Sequence, residues 1–146
     1  MIHSIRFFNR ESAQKWVAVP DEALVSIYGK GEEKPSMEHE WDFLLSLQFD
    51  DADESKEDRL LFTLDQAKQI VEFVKNAEED GAEYLFVHCK GGISRSAAVA
   101  MALGEYYNVK VFMGYRLLPE SYSQYNKFVY RKVREALYGP EFGFTS

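Results

Sequence analysis

The 146-residue chain has a single cysteine, Cys89. One thiol excludes an intramolecular disulfide framework and a zinc site built on several thiolates. Two roles remain for Cys89: a buried small apolar side chain, or a thiol used in chemistry. Only four prolines and nine glycines are present, which excludes collagen-like and low-complexity disordered readings. Long apolar runs are missing too. No stretch approaches the roughly 20 residues of a membrane span, and Met1 to Arg6 lacks the apolar segment of a signal peptide. The expectation is a cytoplasmic protein without membrane contact. Positive charge is scarce: 17 Lys and Arg stand against 24 Asp and Glu, a net charge of −7. That balance argues against non-specific binding to nucleic acid or membrane surfaces. His3 and His39 have no partners at ligand spacing, so neither a metal nor another cofactor is expected.

What is present reads as one globular domain over residues 1–146. The apolar fraction is 46% and aromatics reach 15%, enough for one sizeable core. Ser4 to Phe8 reads as a strand, and Asn9 as the cap of a short helix from Arg10 to Trp16. Ala23 to Tyr28 and Phe43 to Phe49 read as further strands, the second running into an acidic loop over residues 50–59. Thr63 and Gln66 fit a capping box. Ala67, Ile70, Val71, Val74 and Ala77 follow with helical spacing, and Gly81 fits a C-cap. Tyr84 to His88 is a continuous apolar run, the pattern of a strand buried on both faces. A helix opening at Ser96 runs to about Tyr107, and a last helix covers Ser121 to Leu137. Alternating strands and helices indicate an α/β three-layer sandwich with a mostly parallel central sheet. In such sheets the ligand site lies at the carboxyl ends of the strands, which is where the segment after His88 falls.

That segment reads His88-Cys89-Lys90-Gly91-Gly92-Ile93-Ser94-Arg95-Ser96. A thiolate between a strand and a helix N-terminus is favoured by the positive end of the helix dipole. The loop N–H groups of Lys90, Gly91, Gly92, Ile93 and Ser94 form a cradle for a tetrahedral oxyanion. Gly91 and Gly92 allow the loop to curl. The planar fork of Arg95 grips two oxygens at once, which lysine cannot do. Ser96 supplies a hydrogen bond to the sulfur, and His88 orients the loop through backbone groups. Lys90 reads as a charge on the rim. A chance match to His, Cys, Gly, Arg and Ser at these offsets is on the order of one in 10⁵ at average residue usage.

The motif resembles the signature of the cysteine-dependent protein tyrosine phosphatases: His-Cys, five residues, Arg, then Ser or Thr. Gly92 to Ala97 is most similar to the dual-specificity branch. Chain length and element order also resemble a minimal dual-specificity domain. The resemblance implies a phosphomonoester hydrolase acting on phosphorylated proteins or peptides through a phosphocysteine on Cys89. It implies Arg95 as phosphate clamp and an upstream Asp as general acid.

A poor leaving group needs a proton, and the strand Phe43 to Phe49 delivers three candidates at its carboxyl end, Asp50, Asp51 and Asp53. Some compact members of the family use the second Asp of a Phe-Asp-Asp run, which favours Asp51, 38 residues before Cys89. The bland alternative is a solvated acidic loop. Rival functions are a phosphate-reading module without turnover, a rhodanese-type sulfurtransferase, and an RNA or phosphoinositide phosphatase using the same chemistry. The Arg95 spacing suits phosphate better than sulfur transfer, and Ile93 stands where lipid-directed members carry a second lysine.

Overall fold

The order of elements follows the alternation of the sequence. A computed structural model describes residues 1–53 and 58–140. It runs β1 (Ser4–Asn9), α1 (Arg10–Lys15), β2 (Glu22–Tyr28), β3 (Phe43–Gln48), α2 (Leu64–Glu79), β4 (Tyr84–Cys89), α3 (Arg95–Tyr107), β5 (Lys110–Met113), β6 (Arg116–Leu117) and α4 (Lys127–Tyr138). The six strands form one sheet in the order β3-β2-β4-β1-β5-β6. The first five are parallel, and β6 turns back antiparallel on β5. The chain is therefore a mixed α/β domain with a mostly parallel sheet, compatible with the three-layer arrangement.

Side-chain alternation along the strands divides the core into two layers. Ile5, Phe7, Val25, Ile27, Leu85 and Val87 face the larger core, which α2, α3 and α4 cover with Ile70, Val74, Leu103, Val129 and Val133. Phe8, Leu24 and Phe86 point the other way. There the cover is thinner: Ala13 of α1 and Trp41 close over Phe86, with Trp16 and Met37 at the margin. The central β4 is buried from Leu85 to Cys89, as its unbroken apolar run implies. Among the described residues, no helix is long and apolar enough to cross a membrane.

Local signals set most boundaries. Asn9 caps α1 by accepting from the Ser12 N–H at 2.8 Å. Thr63 and Gln66 form the reciprocal capping box that opens α2. The cap at the other end of α2 is Asp80 rather than Gly81; Gly81 follows it with φ +107°. Helix α3 starts one residue earlier than expected, at Arg95.

The largest departure is at the last helix. Residues 121–126 are loop, and α4 begins only at Lys127. Two contacts explain this. The Asn126 side chain accepts from the Val129 N–H at 3.0 Å, a true N-cap. Tyr122 is turned back by its own N–H on Pro119 O and by its hydroxyl, which donates to Ile93 O. The short strands β5 and β6 went unread because their side chains are half-buried or exposed and show neither strict alternation nor a full apolar run. Part of the acidic loop read over residues 50–59, including Glu54 and Glu57, lies outside the described residues.

Candidate active site

Strand β4 ends on Cys89, and α3 begins six residues later at Arg95. The turn between them is pinned from below. Gly92 has φ +66°, and a Cβ there would stand 2.5 Å from Asn9 N and from Phe8 C. The loop thus lies directly on the β1–α1 junction, where Arg10 N–H also donates to Lys90 O at 3.3 Å. Gly92 is required twice, by its dihedral and by its contact. Gly91 is not: a Cβ there meets only the Ile93 side chain at 3.9 Å. Gly92→Ala is expected to destabilise the fold by roughly 2–4 kcal/mol, combining a left-handed non-glycine residue with a backbone clash. Gly91→Ala should cost less than about 1 kcal/mol. Urea unfolding of both variants checks the difference.

The Cys89 side chain is 2% exposed. Its Sγ lies 3.1 Å from Ser96 Oγ and accepts from the Ser96 N–H at 3.4 Å. Ser94, the N-cap of α3, makes no side-chain cap bond of its own. The sulfur takes the place of a capping oxygen, at the positive end of the helix. None of the N–H groups of Gly91, Gly92, Ile93 and Ser94 donates to a protein acceptor among the described residues. Four donors on one short loop are thus left for an anion.

Arg95 is buried, 6% exposed. Its Nη1 donates to Phe49 O at 3.0 Å, and its Nη2 pairs with Glu32 Oε2 at 3.4 Å. A guanidinium has five donors, so three remain for a ligand. Glu32 escaped the sequence reading; its loop follows β2, and only that position at the carboxyl end of the sheet pointed to it. Gly29 makes room for it, since a Cβ there would come within 2.6 Å of Glu32 Oε2 and of Asp50 Oδ1.

The three acidic candidates separate cleanly. Asp50 is buried and accepts from the N–H groups of Lys30 at 2.9 Å and Leu60 at 2.7 Å. It ties two loops together. Asp51 is exposed and turns to the Cys89 loop. Its Oδ1 accepts from Ser94 Oγ at 2.8 Å and from Asn126 Nδ2 at 2.8 Å. Asp53 is exposed and does not line the Cys89 cavity. That cavity has a volume of about 280 Å³ and is walled by Asp51, Cys89, Gly91, Ile93, Ser94 and Arg95. No family model and no curated protein matches this chain. The cavity joins a thiol, a guanidinium and a carboxyl group.

The supporting shell was only half legible. His88 is fully buried, and burial pulls its pKa down from 6.5 to about 4, so the ring is neutral near neutral pH. Its Nδ1 faces Cys89 O at 3.5 Å, and its Nε2 faces Ser26 Oγ at 2.6 Å. A carbonyl only accepts, so Nδ1 carries the proton and the Ser26 hydroxyl donates to Nε2. The close contact is with a side chain on β2, and the backbone contact is the longer one. Ile93 is exposed and lines the cavity, whereas Lys90 is exposed and is not among the residues that wall it. Ser26 and Asn126 join Glu32 as residues that sequence reasoning missed, and Asn126 does the most. It caps α4, holds Asp51, and its own N–H donates to Ser94 O at 3.1 Å, joining three segments around the cavity.

Proposed function

We propose that the chain is a cysteine-dependent phosphomonoester hydrolase of the dual-specificity phosphatase type, acting on phosphorylated proteins or peptides. The observation that carries the reading is the meeting of Cys89, Arg95 and Asp51 on one cavity floored by free loop amides. A reducing compartment such as the cytoplasm suits a lone thiol nucleophile.

In the first step the Cys89 thiolate attacks phosphorus in line with the ester oxygen. The S–P bond forms as the P–O bond breaks. Arg95 and the loop N–H groups hold the three equatorial oxygens, where charge is spread in the transition state. Asp51 gives its proton to the departing oxygen. Its Oδ1 already accepts two hydrogen bonds, so the proton sits on Oδ2. In the second step water attacks the phosphocysteine. Asp51, now a carboxylate, takes the water's proton, and the P–S bond breaks. Ser96 Oγ stabilises the returning thiolate through its contact with the sulfur. The positive charge comes from Arg95 and the amides, so the scheme calls for no cofactor.

Asp51→Asn keeps an oxygen for Ser94 and Asn126 but removes the proton. It is expected to lower kcat on a phosphotyrosine peptide by roughly 10²–10⁴-fold. The loss should shrink with p-nitrophenyl phosphate, whose leaving group needs no protonation. Asp50→Asn should instead act on stability. Equal losses on both substrates in Asp51→Asn would count against the acid assignment. No turnover of either substrate by the unmutated chain would overturn the reading.

A further inference from the structure

The free N–H groups of the Cys89 loop are aimed by whatever holds the loop's carbonyls. A trans peptide carries its C=O and its N–H on opposite sides. A carbonyl held outward therefore turns the following N–H inward. Lys90 O accepts from the Arg10 N–H at 3.3 Å, and Ser94 O accepts from the Ala98 and Asn126 N–H groups, each at 3.1 Å. Those grips are all backbone. Ile93 O is held differently, by a side chain: it accepts from the Tyr122 hydroxyl.

Tyr122 stands behind the loop. Ile93 and Ser94 are walls of the Cys89 cavity, and Tyr122 is not. Two further contacts fix its ring. It packs on Phe7 with ring centroids 6.0 Å apart, and its own N–H donates to Pro119 O at 3.1 Å. Burial, then the nearby Cys89 sulfur, push the phenol pKa up from its ordinary value, so the hydroxyl keeps its proton and donates. The peptide it grips has little other support. Ile93 is exposed, and the Ser94 N–H has no protein acceptor among the described residues. The bonds of Ser94 through its Oγ and its O hold that residue, but not the peptide before it. With the hydroxyl gone, that peptide is free to turn over. It would then show the anion an oxygen where a donor had stood.

We propose that Tyr122 is a positioning residue for the anion cradle: its hydroxyl fixes the Ile93–Ser94 peptide so that the Ser94 N–H faces the bound oxyanion. Its part in turnover rests on the phosphatase reading; its part in anion binding rests on the loop alone.

The test uses Tyr122→Phe, which removes the hydroxyl and keeps a ring against Phe7. Tyr130→Phe is the control, because it also deletes a phenol hydroxyl bonded within the fold, to the Glu105 carboxylate, and that hydroxyl holds no loop carbonyl. Tungstate affinity is read by titration calorimetry, and kcat/KM on one phosphotyrosine peptide, both well below the Tm of every variant. Tyr122→Phe should weaken tungstate by about three- to tenfold and lower kcat/KM by about five- to thirtyfold, less than the roughly 10²–10³-fold effect of deleting an oxyanion donor, because the amide is released rather than removed. Tyr130→Phe should leave both within about twofold, whatever it does to Tm. Tungstate affinity or kcat/KM within about twofold of the unmutated chain in Tyr122→Phe would overturn the assignment. So would equal losses in Tyr130→Phe. If the unmutated chain binds tungstate, loses affinity in Tyr122→Phe and turns over no phosphoester, the phosphatase reading falls and the positioning of the cradle stands. An unmutated chain that neither binds tungstate nor turns over would overturn both.

Discussion

Cys89→Ser is expected to cut turnover of p-nitrophenyl phosphate by roughly 10⁴–10⁶-fold, the range lost when a covalent nucleophile is removed. The reason is electronic. A thiol gives a few per cent of strongly nucleophilic thiolate near neutral pH, whereas a hydroxyl there stays protonated unless a base removes its proton. Among the described residues none serves as that base in the first step: His88 holds its ring proton on Nδ1 and accepts from Ser26 with Nε2, and Asp51 acts there as the acid. The variant should still fold, because serine is slightly smaller than cysteine and can keep the contacts with Ser96. It should also still bind, because Arg95 and the loop amides are untouched. Two measurements separate the effects: initial rates with a chelator present, and the rise in Tm on adding a phosphate-like oxyanion such as tungstate. Metal-independent hydrolysis persisting near the unmutated rate would remove Cys89 from the mechanism. Loss of the oxyanion-induced Tm shift would mean the substitution had damaged the cradle.

The fold was legible where a local rule and a global demand agreed. Thr63 with Gln66 opens α2 because the capping box satisfies two backbone donors whatever packs nearby. The run from Tyr84 to His88 marks β4 because a short apolar run bounded by turn residues fits a strand covered on both faces, and the burial from Leu85 onward follows it. Legibility failed where a tertiary contact decided the outcome. Residues 121–126 carry side chains that helices accept, yet Tyr122 is held by a carbonyl 29 positions away, and Asn126 prefers the cap. Strand β5 has four residues and borrows its order from β1; nothing in its own pattern requires it.

The candidate site divides in the same way. Cys89, Arg95 and Ser96 were readable because the loop that carries them is contiguous and its spacing has a chemical reason. Asp51 was readable only to within a short acidic run. The neighbours of that run decide it: Asp50 is taken by the N–H groups of Lys30 and Leu60, which leaves Asp51 to turn the other way. Glu32, Ser26 and Asn126 are single polar residues in unremarkable surroundings, 63, 62 and 75 positions from the groups they hold. Parallel strands bring such distant positions to one edge of the sheet, and no periodicity in a single sequence announces them.

Arg95→Lys tests whether the site needs a charge or a fork. It is expected to lower kcat/KM by roughly 10³-fold or more, the lower end of what an arginine supplies to phosphoryl transfer, although the formal charge is unchanged. A lysine offers a point charge with three donors. It cannot reach Phe49 O and Glu32 while also gripping two oxygens of the phosphoryl group. Either the ammonium pairs with Glu32 and the substrate is held by amides alone, or it turns to the substrate and leaves Glu32 beside an unmade bond. The deficit should fall mainly on kcat, because the two-pronged grip matches the planar arrangement of oxygens reached only in the transition state. Glu32→Gln supplies the contrast. It keeps a hydrogen-bond acceptor for Nη2 and leaves the fork whole, so its loss should be about tenfold or less. Initial-rate kinetics on one phosphotyrosine peptide rank the three proteins. If Arg95→Lys retained most of the unmutated kcat, positive charge alone would suffice at this position and the bidentate clamp would have to be abandoned.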